Sequence, residues 1–389
     1  MSVGRVLIAS VVLSAQLELA RRAVVALSRD PALALGLLSL AAWGSRTLPG
    51  TALLQAIAAP LGAVLAPIRA RFSPSTEPDA SRPASAMDRR LMFDMYDIQS
   101  SKRALLNLRP PTETWMNFGL WPSASALPPS YGLREACEAL ATLLAHTVEL
   151  NSQDTLLDVG CGCGDQDVLF AKTFQPKSIL GVEIAPSQVA QAQCHIQRHG
   201  LESNVQVVQG SAVDLAASCR AARQFSVVLS LDSAYHYALR RDFVHEAFRV
   251  LQPTGRLGLV DICVTDSWQE TLCSPAFSAR LSQIMFRLGC KAAAIPLANM
   301  VSQTEYASQL SAAGFEDVHI RDISDQVFEG FARHIETTAE QLASVTRPLD
   351  WIGFRLAARL MRFLGNKRVV KFIVVKSVKP ATRSGLTGP

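Results

Sequence analysis

Short apolar runs alternate with amphipathic stretches along the chain from residue 155 onward. Apolar positions that recur every three or four residues predict helices, whereas short runs rich in Val, Ile and Leu predict buried strands. Alternation of strand and helix is typical of a parallel sheet covered by helices, so we expect an α/β fold. Seven strands are predicted, at residues 155–159, 178–183, 205–209, 226–230, 255–261, 318–323 and 370–378.

Helical patterns also flank and interrupt these strands. Residues 91–150 have the pattern of short helices around a turn-rich aromatic segment, WMNFGLWP, at 115–122. We expect them to form a helical cap that contributes to a ligand site. Two helical insertions, 268–301 and 327–364, are expected to roof the same site, and the second has a basic, aromatic face suited either to a membrane surface or to packing on the sheet.

The first 72 residues are a compositional unit of their own, rich in Ala and Leu and poor in acids. Two of their uncharged stretches are shorter than the roughly 20 residues that a spanning helix needs, and the third, 47–68, is interrupted by three prolines. We expect an intracellular protein attached to a membrane by this segment, with the endoplasmic reticulum and the mitochondrion not distinguished. A cleaved transit peptide and a secretory signal are the alternatives. A Pro, Ser and Ala linker follows at 73–90, and 381–389 form a tail.

Composition narrows the class of protein. Hydrophobic residues make up 49% and charged residues 18%, which excludes both a disordered chain and a polytopic transporter. Seven arginines against two acids give residues 1–72 the whole net charge of +5, so the remainder is neutral and has no basic surface for nucleic acid. The eight cysteines show no repeated spacing and are expected to be reduced thiols, with no metal site. The pattern does not indicate an oligomeric state.

A glycine-rich turn follows the first predicted strand, in the string LLDVGCGCGDQDVLFAK at 156–172. Glycine lets a ligand lie against the backbone at the carboxyl end of a strand. Asp165 occupies the place of the third glycine in a dinucleotide fingerprint, and with Asp158 it disfavours a bound pyrophosphate. The same acids suit a cationic amino-acid nucleoside. Glu183 ends the next strand, where its carboxylate could accept from two ribose hydroxyls.

These motifs resemble the class I S-adenosylmethionine-dependent methyltransferases. The resemblance covers about 150–380 and rests on the order of the DVGCGCG turn, Glu183, GSAVDL at 210–215, FSVVLSLDSAYHY at 225–237 and RVLQPTGRLGLVD at 249–261. It implies a Rossmann-like seven-stranded methyltransferase sheet with S-adenosyl-L-methionine as cofactor. The cofactor-binding residues that it implies are Asp158, Gly160, Gly162, Gly164, Glu183, Ile184, Gln188, Ser211, Ala212, Leu231 and Tyr96.

Three positions depart from the family pattern. Ser211 stands where many members have an acid, Ser226 replaces a common Asp, and Thr254 replaces the second glycine of the usual PGG. Because Ser still forms hydrogen bonds, we expect weaker affinity for the cofactor and not a loss of binding.

The upstream aromatic segment loosely resembles the region before the first motif in sterol, tocopherol and cyclopropane-forming methyltransferases. The likeness implies that Trp115, Phe118 and Trp121 line the acceptor pocket. The alternative is that these three rings only pack the cap.

The loop LDSAYHY brings an acid, an imidazole and two phenols to the carboxyl edge of the sheet. Asp232, Tyr235 and His236 are the candidate catalytic residues, with His236 as general base because an unperturbed pKa of about 6.5 suits that role. Tyr237 is expected to contact the acceptor. The alternative is that His236 only lines the pocket.

We therefore expect methyl transfer to a small, lipophilic acceptor such as an isoprenoid, a sterol-like molecule or a lipid. The alternatives are an N- or O-methyltransferase of a soluble metabolite, and a catalytically silent methyltransferase fold that acts as a membrane scaffold. A NAD-dependent oxidoreductase is disfavoured by Asp165, and the chain has no GxSxG or GxxxxGK[ST] motif for hydrolase or nucleoside-triphosphatase chemistry.

Overall fold

The structure, a computed structural model, describes residues 114–123, 131–219, 224–344, 351–366 and 369–381. The predicted membrane segment 1–72, the linker 73–90 and Tyr96 lie outside these ranges. Within them, none of the helices combines the length and the apolar character that crossing a membrane requires.

A seven-stranded sheet organises the described chain, in the order β3-β2-β1-β4-β5-β7-β6. Its strands are β1 Thr155–Val159, β2 Ser178–Glu183, β3 Val205–Gln209, β4 Phe225–Leu231, β5 Leu251–Val264, β6 Glu316–Asp322 and β7 Val370–Val378. All seven predicted strands are present. The predicted parallel pairing holds for β3, β2, β1, β4 and β5, whereas β7 runs antiparallel to both of its neighbours, β5 and β6, so the sheet is mixed. An apolar run indicates burial but carries no information on strand direction.

Ten helices are described around the sheet. They are α1 Leu133–Thr147, α2 Asp165–Thr173, α3 Pro186–Arg198, α4 Leu215–Ser218, α5 Arg240–Val250, α6 Asp266–Cys273, α7 Phe277–Ala292, α8 Gln303–Ala312, α9 Phe328–Gln341 and α10 Ile352–Asn366. Helices α6, α7, α9 and α10 occupy the two predicted insertions. Short 3₁₀ turns cover Ala234–His236, Leu297–Asn299 and Ser324–Gln326.

Strand residues alternate between two hydrophobic cores, as the two-residue period of a strand requires. Leu156 and Ile179 pack on the face covered by α1, α2 and α3, whereas Leu157 and Leu180 pack on the face covered by α4, α5 and α8. Because β1, β2 and β4 are parallel, the loops that follow them meet at one edge of the sheet. This carboxyl edge holds the predicted site residues.

Of the predicted helical cap at 91–150, the structure describes residues 114–123 and 131–150. Residues 114–123 have no helix, and α1 is a single helix of 15 residues. Leu144 and Val148 pack so closely on β5 that a Cβ at Gly258 would overlap Val148. Helix α1 is therefore part of the sheet's cover, and the irregular segment 114–123 is the part that reaches the site.

Candidate active site

The turn after β1 needs glycine. Gly160 and Gly162 have φ angles of 74° and 61°, in the left-handed region that side chains disfavour. A Cβ on Gly160 would also overlap Ser233 Oγ, because the loop after β4 packs directly on the turn. The backbone N–H of Gly160 donates to the carbonyl of Val182, 2.8 Å away, which ties the turn to β2.

Glu183 joins the glycine turn to the loop after β2. Its Oε2 accepts from the N–H of Gly162 at 3.1 Å, and its Oε1 accepts from the N–H of Ala185 at 3.0 Å. Burial raises the pKa of this carboxyl, and the backbone donors oppose the rise. Each carboxylate oxygen keeps a second lone pair for a hydroxyl donor.

The space beside the Cα of Gly162 is empty but small. A Cβ there would meet Met116 Cε at 3.0 Å and Gln188 Oε1 at 3.7 Å, so a side chain at Gly162 would fill the cradle. Met116 and Ile184 are 38% and 41% exposed, which places two apolar side chains at the solvent edge of this cradle. The fixed acceptor Glu183 and a bare backbone fit a nucleoside cofactor at this position.

The other predicted cofactor-binding residues differ in their burial and in their hydrogen-bond partners. Asp158 is fully buried and accepts from Gln166 Nε2 at 2.7 Å, and burial raises its pKa to about 6. Gly164 begins α2, and Leu231 is core at the end of β4. After β3, Ser211 donates its N–H to the hydroxyl of Ser218, and Ala212 packs against the core.

Two of the departures from the family pattern lie at the opposite edge of the sheet. Ser226 is near the amino end of β4, where its hydroxyl donates to Asp154 at 2.7 Å. Thr254 is near the amino end of β5 and has a φ of 63°. These two replacements act on the sheet and not on the cofactor edge.

Residues 114–123 cross the carboxyl edge, where hydrogen bonds tie them to the start of α2 and to the loop after β4. Thr114 donates its N–H and its hydroxyl to Asp165, at 3.0 and 2.7 Å. The N–H of Phe118 donates to Asp232 Oδ2 at 2.8 Å. The aromatic segment therefore lies beside both the glycine turn and the loop after β4.

Its three aromatic residues are packed to different degrees. Trp115 and Trp121 are each 5% exposed, and Trp121 also packs so tightly on Gly330 of α9 that a Cβ there would overlap it. Phe118 is partly buried, and its ring meets that of Phe331 edge-on at 4.7 Å. The burial of the two tryptophans supports packing, and acceptor lining by all three rings stays a prediction.

Asp232, Tyr235 and His236 come together as expected. Asp232 follows β4 with a φ of 55°, and its Oδ1 accepts from the hydroxyl of Tyr235 at 2.9 Å. Burial raises the pKa of Asp232 to about 8. The rings of Tyr235 and His236 lie 4.2 Å apart between centroids.

One contact defines the tautomer of His236. Its Nδ1 lies 3.2 Å from the carbonyl oxygen of Ala294. Because a carbonyl only accepts, Nδ1 carries the hydrogen and Nε2 carries the lone pair of the neutral ring. Burial lowers the pKa of His236 to about 4, below the value of about 6.5 on which the sequence expectation rested. The ring is therefore neutral across the physiological range.

Tyr237 is separated from this group. Its hydroxyl donates to the carbonyl of Val159 and lies 2.8 Å from Ser230 Oγ, while its ring packs edge-on against Phe243. It therefore belongs to the opposite sheet face and supports the glycine turn from below. The two phenols of the loop lie on different faces of the sheet.

Asn299 is a site residue that the sequence did not indicate. It is 1% exposed, and its Nδ2 donates to the carbonyls of Tyr235 and Tyr237, at 3.2 and 2.7 Å. Its Oδ1 accepts from the N–H of Arg240 at 2.8 Å. A lone amide in the apolar string PLANMV was the available signal. Among the described residues, no group of three or more His, Cys, Asp or Glu side chains could hold a metal ion.

A mostly parallel sheet with a glycine turn after β1 and an acid at the end of β2 is the architecture of α/β enzymes that bind a nucleoside cofactor. Residues 150–314 match the protein family described as "Methyltransferase domain". The chain carries a class I S-adenosylmethionine-dependent methyltransferase domain, as the motifs predicted. The domain is that of an S-adenosylmethionine-dependent methyltransferase, and the expected cofactor is confirmed.

Three characterised enzymes are similar to this chain. The erythromycin 3''-O-methyltransferase of Saccharopolyspora erythraea is 37% identical over 55% of this chain and 66% of its own length, which is just under two thirds. The 27-O-demethylrifamycin SV methyltransferase of Amycolatopsis mediterranei is 25% identical over 68% of this chain and 90% of its own. A sterol 24-C-methyltransferase of Gibberella zeae is 25% identical over 57% of each chain.

Solved structures agree on the fold. The cyclopropane synthase MmaA2 of Mycobacterium tuberculosis superimposes with a TM-score of 0.57 at 16% identity, over 73% of this chain and 95% of that one. A geranyl diphosphate methyltransferase in complex with GPP and sinefungin gives a TM-score of 0.54 at 15% identity, over 75% and 99%. At this identity the likeness shows the fold alone.

Proposed function

We propose that the enzyme methylates a hydroxyl group of a lipophilic small molecule, with His236 as the general base. The observation that carries the proposal is the tautomer of His236, which places the lone pair on Nε2 in a ring that is neutral at physiological pH. A neutral imidazole in this tautomer can take a proton at Nε2 from a hydroxyl within hydrogen-bonding reach. Two similar enzymes are O-methyltransferases by name, which favours oxygen over carbon as the acceptor atom.

Each residue at the carboxyl edge has a separate role in this proposal. Glu183 and the backbone at Gly162 would hold the nucleoside, and Asp158 would face the amino-acid part. When bound, S-adenosylmethionine supplies an electrophilic methyl group. His236 takes the hydroxyl proton as the oxygen is methylated, and Asp232 with Tyr235 keeps the loop in place. The segment that Phe118 anchors keeps water from the site.

The lipophilic character of the acceptor rests on the exposed apolar side chains at this edge. Met116 borders the cradle, Ile184 is exposed directly after Glu183, and the ring of Phe118 contacts Phe331 of α9. An apolar molecule would cover these surfaces at a gain of about 25 cal/mol for each Å² buried. The isoprenoid, sterol-like and lipid acceptors expected from the sequence share this character with macrolides.

The test is label transfer from methyl-labelled cofactor into hydroxylated macrolides, ansamycins and sterols, with soluble amines and a hydroxyl-free isoprenoid alkene for comparison. We expect label only in hydroxylated, lipophilic acceptors. His236→Ala should lower kcat about 100-fold and leave affinity for S-adenosylhomocysteine unchanged. His199→Ala, at an exposed histidine, is the matched control. Transfer to the alkene, or full kcat in His236→Ala, would overturn the proposal.

We also propose that residues 1–72 hold the enzyme at a membrane. The support is their composition, with long uncharged stretches and arginine as the dominant charge. A silent scaffold, the remaining alternative, predicts no binding of S-adenosylhomocysteine by calorimetry.

A further inference from the structure

A second acid lies beside Asp158 in the core. Asp167, the third residue of α2, is fully buried, as is Asp158 in β1. Gln166 Nε2 donates a hydrogen bond to Asp158 Oδ2. Asp158 Oδ1 and both carboxyl oxygens of Asp167 accept no hydrogen bond from a nitrogen or oxygen donor among the described protein groups. The thiol of Cys161, a weak donor, is the one donor group that acts on Asp167 among the described residues. Burying three carboxyl oxygens with so little donation is costly for ionised carboxylates.

The fold makes room for this second acid. Gly181 pairs with Asp158 in the register of β1 and β2. A Cβ on Gly181 would lie 3.0 Å from Asp167 Oδ2 and 2.8 Å from Cys161 Sγ. The carboxyl of Asp167 therefore rests on the bare backbone of β2, within hydrogen-bonding reach of Asp158.

Asp167 does not act as a helix cap. An acid in the first turn of a helix is normally ionised and accepts from backbone N–H groups. Neither oxygen of Asp167 accepts such a bond. The groups that act on its ionisation are Asp158, Asp165 and the thiol of Cys161, and burial raises its pKa well above the usual range.

We propose that Asp167 is a neutral carboxylic acid that donates a hydrogen bond to Asp158 and so keeps Asp158 ionised just before the glycine turn, where its charge attracts the cationic amino-acid part of the cofactor. One proton then satisfies Asp158 Oδ1 and an oxygen of Asp167, and the pair carries one negative charge instead of two. Asp167 is a positioning residue, because it acts through Asp158. This inference rests on the proposed place of Asp158 in the cofactor site.

Two substitutions of Asp167 show whether its side chain acts as a neutral hydrogen-bond donor or as a negative charge. Asp167→Asn keeps the shape and a donor, so affinity for S-adenosylhomocysteine should stay within about twofold of wild type. Asp167→Ala removes the donor and should weaken binding about tenfold. Asp242→Asn, at an exposed acid in the first turn of α5, is the matched control. A loss in Asp167→Asn as large as that in Asp167→Ala would overturn the proposal.

Infrared spectroscopy of the folded protein at neutral pH reads the proton directly, without activity. We expect the carbonyl stretch of a protonated carboxylic acid in the difference spectrum between wild type and Asp167→Asn, and none in the difference between wild type and Asp242→Asn. The difference spectrum is needed because Asp232, with a pKa of about 8, also holds a proton at neutral pH. Absence of the band from the Asp167→Asn difference would overturn the assignment even if Asp167→Ala failed to fold. If the band behaves as expected but Asp158→Asn binds S-adenosylhomocysteine like wild type, the shared proton stands and the cofactor role of Asp158 is overturned.

Discussion

Asp232 is the residue at which three parts of the site meet. It follows β4 and accepts from the anchored segment at Phe118 and from the loop at Tyr235. The sequence indicated the residue, because an acid after a buried strand falls at the carboxyl edge. It could not indicate the partner Phe118, which is 114 positions away. Asp167 was not among the predicted site residues, because its place in the core depends on Gly181 of another strand.

The raised pKa of Asp232 predicts how stability depends on pH. The folded pKa of about 8 exceeds the unfolded value of about 3.9, so between these values the folded state holds a proton that the unfolded state releases. The free energy of unfolding should therefore fall as pH rises from about 4 to about 8. Thermal melts across this range should show a shallower slope in Asp232→Asn. An unchanged slope would mean that Asp232 is ionised in the folded state.

The lowered pKa of His236 predicts the shape of the rate profile. If His236 is the base, activity should rise from acidic pH and be level through neutrality, because the ring loses its proton at about pH 4. Measurement of kcat/KM against pH, with methyl transfer as the slow step, tests this. A rise centred near pH 6.5 that disappears in His236→Ala would instead show a ring with the ordinary pKa of about 6.5.

At the scale of elements, some predicted strands match the observed strand bounds more closely than others. β1, β2, β3 and β7 begin and end where the apolar run does, because polar residues or turns bound them. β5 extends beyond its run at both ends, since pairing continues as far as Val264 opposite Val370. Ladder partners of this kind come from distant parts of the chain and leave no local pattern.

The turn Leu297–Asn299 and the loop after β4 form one unit through Asn299. Asn299→Ala would leave two carbonyls and the N–H of Arg240 buried without partners, at a cost of about 1–3 kcal/mol. We expect lower thermal stability and a lower kcat, with affinity for S-adenosylhomocysteine retained.

Denaturant unfolding and steady-state kinetics check this expectation for Asn299. Asn366→Ala, at an exposed asparagine that ends α10, is the control and should match wild type. Loss of cofactor affinity in step with kcat would point to collapse of the whole carboxyl edge instead of the loop alone.

At the scale of the whole molecule, charge is divided between two parts of the chain. Residues 1–72 carry the net charge of +5, and the rest is balanced. If the first part inserts apolar side chains into a bilayer, full-length protein should float with vesicles even in high salt, because salt screens charges and not apolar contacts. A chain that begins at Met87 should stay unbound and still bind S-adenosylhomocysteine.

Vesicles of neutral and of anionic lipid distinguish apolar insertion from electrostatic attraction in the flotation experiment. Binding to anionic vesicles alone, released by salt, would show adsorption through arginine. A mature chain that begins after the arginine-rich stretch would establish the targeting alternative.

The position of β7 has a consequence for how the protein is made. The strand that comes last among the described residues lies inside the sheet, with β5 on one side and β6 on the other. When the ribosome has completed β6, that strand has no neighbour, and it stays unpaired until Val370–Val378 emerge. The sheet therefore closes only after residue 378 has been made, and chains stalled before residue 370 leave β5 and β6 without their shared neighbour and open to chaperones and proteases.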